Sequence, residues 1–196
     1  MKRFTLFILL IILSSCWSYR TLNLENKNPT EYIYPLTQDF VKKELIKSFS
    51  KNPYKGLSLI YYPKDTFYIN YHDTVRLNKN RLFLYNDSYK LSSQIYYKHN
   101  RKLRYYAGFL IIISSVNSIY TKVKIETVEP QIVVGRDLFP KLPHMVRYEK
   151  TKAVSPSTIE EYELLLYIGK KLNVDSMPPI HYPKGYYKLK EAKDPW

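Results

Sequence analysis

The stretch Leu103-Arg104-Tyr105-Tyr106-Ala107-Gly108-Phe109-Leu110-Ile111-Ile112-Ile113, followed after Ser114 to Ser118 by Ile119-Tyr120-Thr121-Lys122-Val123-Lys124-Ile125-Glu126-Thr127, decides the fold. The first run is almost continuously apolar, which suits a strand covered on both faces. The second alternates Ile119, Thr121, Val123, Ile125 and Thr127 against Tyr120, Lys122, Lys124 and Glu126, which suits a strand covered on one face. Together they predict an antiparallel hairpin near the middle of a sheet, turning at Ser114 to Ser118.

Shorter strands are expected upstream. Leu57 to Tyr62 lies between Gly56 and Pro63, and Thr66 to Tyr71 alternates, so Pro63-Lys64-Asp65 predicts a tight hairpin. Thr74 to Leu77, Arg81 to Tyr85 and Tyr89 to Lys98 follow, separated by Asn78-Lys79-Asn80 and Asn86-Asp87-Ser88. Glu129-Pro130 is expected to break the strand after Thr127, with Ile132 to Val134 a short continuation, and the proline-bearing residues 136–156 an irregular cover.

Two helices flank these strands. From Thr37 to Ser50, Val41, Leu45 and Phe49 fall four apart while Lys42, Lys43 and Lys47 take other faces, and Asn52-Pro53 ends the pattern. Near Ser157, the pairs Ser157/Glu160 and Thr158/Glu161 fit a capping box, and Ile159, Tyr162, Leu165, Leu166 and Leu172 make an apolar stripe. The expected class is therefore α+β: an antiparallel meander of about seven strands with an N-terminal and a C-terminal helix packed on it.

The amino terminus reads differently from the rest. Lys2 and Arg3 precede the apolar run Leu6 to Leu13, then Ser14, Ser15 and Cys16. That run is about half of the roughly 20 residues a membrane-spanning helix needs, and small residues follow it directly, as in an export signal. Leu13-Ser14-Ser15-Cys16 resembles the lipobox of bacterial lipoproteins. The resemblance covers residues 1–16 and implies cleavage between Ser15 and Cys16, diacylglycerol on the Cys16 thiol and usually a further acyl chain such as palmitate on its amine. Two or more chains hold a protein stably on a membrane, whereas one is marginal. In the enterobacterial sorting pattern of this family Asp after the cysteine retains the protein at the inner membrane. Trp17 stands there instead, which favours the outer membrane of the cell envelope.

The expected organisation is a signal peptide over 1–15, a lipidated terminus and tether over 16–36, the α+β domain over 37–176 and a Pro- and Tyr-rich tail over 177–196. A small barrel closed by the last helix is the alternative, similar to the lipocalin arrangement that some bacterial lipoproteins adopt. The Gly-x-Trp pattern of that family's first strand is absent, the sequence there being Gly56-Leu57-Ser58.

Cys16 is the sole cysteine, so no disulfide forms within the chain. Residues 1–15 hold two of the 31 basic residues and none of the 17 acidic ones, so a chain beginning at Cys16 carries +12. This charge favours anionic headgroups or polyanions. No nucleic-acid motif accompanies it, and nucleic acid is not an expected partner of an exported protein.

Lys98, Arg101, Lys102 and Arg104, set between Tyr96-Tyr97 and Tyr105-Tyr106, are the expected contact for anionic lipid or an acidic glycan, if they project together from a hairpin tip. The plainer alternative is a solvated charged turn. His181, Tyr182, Lys184, Tyr186, Tyr187, Lys188 and Lys190 form a second cluster.

Catalysis finds no motif. The histidines 72, 99, 144 and 181 stand at least 27 residues apart and no metal spacing, nucleophile elbow or phosphate loop occurs, so neither metal nor cofactor is expected. Only His72, Asp73 and His144 stand out as positions for a cleft assembled from distant residues. The expected function is non-catalytic: binding or scaffolding through a lipid, glycan or envelope-protein partner, with a carrier of small apolar ligands as the alternative, Leu103 to Ile113 lining its cavity.

Overall fold

The computed structural model describes residues 18–51, 58–60, 66–70, 73–76, 81–85, 91–136 and 149–191. In chain order these form β1 (Arg20–Thr21), β2 (Glu31–Tyr34), helix α1 (Gln38–Lys51), β3 (Ser58–Ile60), β4 (Thr66–Asn70), β5 (Asp73–Arg76), β6 (Arg81–Tyr85), β7 (Leu91–Lys98), β8 (Arg101–Ser115), β9 (Thr121–Arg136), β10 (Glu149–Ala153), helix α2 (Ile159–Lys171) and a 3-10 turn at Tyr186–Lys188. Eight strands make one antiparallel sheet, and β4 and β5 pair separately. The class is α+β, a curled half-barrel with two helices.

The long β8–β9 hairpin is the spine of the sheet, pairing from Tyr105↔Ile132 to Ser115↔Thr121. Its turn closes as Asn117 Oδ1 accepts from the amides of Ile119 and Tyr120 at 3.0 and 2.9 Å. Each outer side of the spine carries two shorter strands laid end to end. On β8 these are β6, opposite Arg81↔Ile112 to Tyr85↔Gly108, and β7, closer to the Arg101 end. On β9 they are β2 and β10.

Four expectations change. The tight hairpin at 63–65 is not how its flanking strands pair: β3 joins β6, and β4 joins β5. Glu129-Pro130 does not end β9. The register shifts between Tyr106 and Gly108, leaving Glu129, at φ 48, and Pro130 in a bulge. A bulge is where a strand tolerates a residue without an amide hydrogen.

The third change concerns the tether, because Glu31–Tyr34 pairs with β9 and Tyr34 is fully buried, its hydroxyl donating to Leu165 O at 2.8 Å. The fourth concerns the irregular segment 136–156, which contains β10, an edge strand with no buried residue.

Both helices cover the inner face. Tyr105, Ala107, Phe109, Ile111 and Ile113 of β8 and Val123 and Ile125 of β9 share one core with Val41, Leu45 and Phe49 of α1 and Ile159, Tyr162, Leu165 and Ile168 of α2. The spacings read from the sequence thus select the buried faces. The edges of the curl approach each other through side chains: Tyr96 OH donates to Ser155 O at 3.1 Å, and the Lys152 ammonium lies 5.0 Å over the Tyr19 ring. Bulges in β7 and at two places in β9, Glu129-Pro130 and Val134, supply the bending.

Gly108 lies on the opposite face of β8, against Phe83. A Cβ there would stand 2.5 and 2.6 Å from ring atoms of the buried Phe83. Gly108→Ala is expected to cost about 1–3 kcal/mol by overpacking, and Phe83→Leu in the same chain to recover part of it. Urea unfolding measures both; an unchanged midpoint for the single variant contradicts the contact.

Candidate functional site

The residues expected to act divide into those that meet and those that do not. Ser15 and Cys16 lie outside the described residues, as do His72 and His144, while Asp73 opens β5 opposite Asn70. Among the described residues no group of three or more His, Cys, Asp or Glu could hold a metal, and no helix is long and apolar enough to cross a membrane.

The basic hairpin forms, with His99 and Asn100 at its tip. Both have positive φ, 49 and 57, as a two-residue hairpin turn requires. Its four cations do not project together. Arg101 is exposed beside the turn, but Lys102 is 4 % exposed and Arg104 is ion-paired with Glu149. Alternation along β8 sets Lys102 and Arg104 on the face opposite Arg101 and its cross-strand partner Lys98, and a residue-by-residue charge count cannot see this.

Lys102 instead belongs to a polar hub built on a bulge. Between the Ser92↔Arg104 and Tyr97↔Lys102 pairs, β7 sets four residues, Ser93 to Tyr96, against Leu103 alone, and Ser93 Oγ accepts from the Tyr96 amide at 3.0 Å. The bulge aims Gln94 at α2 and at the C-terminal segment. The Gln94 amide donates to Glu160 Oε1 at 3.1 Å, and its side-chain oxygen accepts from Tyr186 OH at 2.8 Å and Lys102 Nζ at 3.3 Å. Lys102 Nζ also reaches Glu191 at 2.8 Å and lies 4.1 Å over the Tyr186 ring. Burial pushes the Lys102 pKa down, but the bonds to Glu191 and Tyr186 outweigh it and the net shift is upward.

The first turn of α2 places two carboxyls in the interior. Glu160 is pushed up to about 8, by burial first and then by the neighbouring Glu161. Glu161 is raised too, by burial, against hydrogen bonds from Thr127 and the backbone. A helix N-terminus favours negative charge, but full burial outweighs that effect here.

The expected capping box is split. Ser157 Oγ accepts the Ile159 amide at 3.0 Å and bonds the Glu160 carboxyl, whereas Thr158, at φ 66, makes no side-chain cap and accepts the Asn28 amide at 3.0 Å. The Tyr105 hydroxyl is buried beside this pair and its pKa is raised, by burial first and then by both carboxyls.

The C-terminal segment returns across the domain to the basic hairpin, where Lys190 N donates to Asn100 O at 2.8 Å and Lys102 N to Lys190 O at 2.9 Å. Along the way, it and residues 24–26 enclose an open groove of about 500 Å³, lined by Leu24, Glu25, Asn26, His181, Tyr182 and Tyr187 among others. Asn28, 3 % exposed, clamps the two walls: its Nδ2 donates to His181 O at 2.9 Å and its Oδ1 accepts from His181 N at 2.8 Å.

The second cluster read from the sequence thus has a defined place, and Asn28 and Gln94 are the residues that the sequence did not disclose. No family model, curated protein or solved structure matches the chain.

Proposed function

We propose that the chain is a cell-envelope lipoprotein, anchored through lipid on Cys16, whose domain acts by binding and rests its hairpin end on anionic headgroups. One observation carries this reading: the described chain enters the domain beside the basic hairpin. β1 runs antiparallel to β7 with Arg20 opposite Tyr97, so the residues before it lead toward the His99-Asn100 turn. Cys16 is two residues from Ser18, a span of at most about 7 Å.

Arg20, Arg101, Lys152 and Lys190 are exposed around this end. Juxtamembrane cations each contribute about 1 kcal/mol toward an anionic surface, which adds to the lipid chains. The inward side chains of β8 share one core with α1 and α2, which favours this reading over a carrier of small apolar ligands. Growth with an alkyne-tagged fatty acid tests the anchor. The wild type is expected to take up label and sediment with membranes, and Cys16→Ala to do neither. Equal labelling of the two contradicts the proposal.

A further inference from the structure

We propose that the groove between residues 24–26 and 180–187 is a saccharide-binding site, with the Tyr187 ring as its stacking platform. The proposal gives the binding reading a ligand class and does not depend on the anchor.

Three tyrosines stand together here. Tyr182 and Tyr186 stack with centroids 4.1 Å apart, and Tyr187 meets them edgewise at 5.7 and 5.2 Å. The first two are fixed by their hydroxyls, Tyr182 to Glu163 Oε1 at 3.4 Å and Tyr186 to Gln94 Oε1 at 2.8 Å. Gly185, at φ 87, makes the turn that carries Tyr186 and Tyr187 on consecutive positions of the 3-10 turn. The cluster therefore holds the Tyr187 ring in place while leaving it 84 % exposed. A large flat ring that is both ordered and exposed loses little conformational entropy on binding.

The chemistry around the ring selects the ligand. Glu25 supplies acceptors, Lys184 donors and Asn26 both, all exposed on the groove. Mixed donors and acceptors beside one apolar plane match a pyranose, which has a C–H face and a rim of hydroxyls. An apolar ligand would call for enclosure, and this groove is open. A quaternary ammonium would call for several converging ring faces. Here Tyr182 and Tyr186 cover one another, and Lys102 lies over Tyr186. The volume of about 500 Å³ falls within the usual range for small-ligand sites.

The test is calorimetric titration of the full chain, in a detergent without a sugar headgroup, with trisaccharides of neutral hexose, N-acetylhexosamine and uronic acid, and with tetramethylammonium. At least one saccharide is expected to bind, with Tyr187→Ala weakening it about tenfold or more and Tyr187→Phe retaining it. Unchanged unfolding midpoints for both variants tie the loss to the platform. No saccharide binding up to about 10 mM, binding indifferent to Tyr187→Ala, or binding of tetramethylammonium alone overturns the proposal.

Discussion

Raising the pH from 5 to 8 is expected to destabilise the domain, and Glu160→Gln to remove most of that loss. The Glu160 carboxyl titrates at about 8 in the folded protein against 4.5 in an ordinary setting. Between those values the folded state holds a proton that the unfolded chain has released. Its contribution is therefore fully present below about pH 4.5 and fades as pH rises through 8. At about 1.4 kcal/mol per pH unit the loss across this interval is on the order of 4 kcal/mol.

Glu161 is shifted in the same direction and adds to the slope. Glutamine mimics the protonated carboxyl, keeping a carbonyl for the Gln94 amide and offering an amide to Ser157 Oγ. Urea midpoints at pH 5, 6.5 and 8 measure the effect. The variant should match the wild type near pH 5 and exceed it at pH 8. A wild-type midpoint that rises over the same interval would contradict the buried, protonated carboxyl.

Asn28→Ala is expected to cost about 2–3 kcal/mol, because it strips both partners from the His181 backbone amide and carbonyl in a partly buried setting. Leaving a donor and an acceptor unmade costs more than losing the net value of either bond. The same change should loosen residues 180–187 against 24–26 and so weaken any saccharide bound between them. Asn28→Asp keeps the acceptor for the His181 amide and should fall between the two. Thermal unfolding measures all three chains, and a loss under about 0.5 kcal/mol for Asn28→Ala would contradict the clamp.

What the sequence disclosed follows from where side chains go. The β8–β9 hairpin was legible because one of its strands is covered on both faces at Phe109 to Ile111 and the other on one face. The helices were legible because Val41, Leu45 and Phe49, and Ile159, Tyr162 and Leu165, keep helical spacing. β2 was hidden because only Tyr34 of its four residues is buried, and β10 because none of Glu149 to Ala153 is. An edge strand makes its bonds through the backbone, and the residue pattern carries little of that.

The Ser93–Tyr96 bulge breaks the alternation from which a hub at Gln94 could have been inferred. The basic hairpin is a run of charge in the sequence, but strand alternation sets Lys102 and Arg104 on the face opposite Lys98 and Arg101, where both are paired. The C-terminal tyrosines were visible as a cluster, while the groove they border depends on Asn28, more than 150 residues away in sequence.

On the proposed reading the domain hangs from its membrane by the hairpin end. β8 spans 15 residues, about 50 Å at strand rise, so its two ends differ greatly in distance from an anchoring bilayer. A nitroxide label placed by His99→Cys or Ser118→Cys on the lipidated protein in anionic vesicles, with a paramagnetic relaxant on the lipid headgroups, reads that difference. Strong relaxation at position 99 and little at 118 are expected. Equal relaxation at both positions, or stronger relaxation at 118, would contradict it.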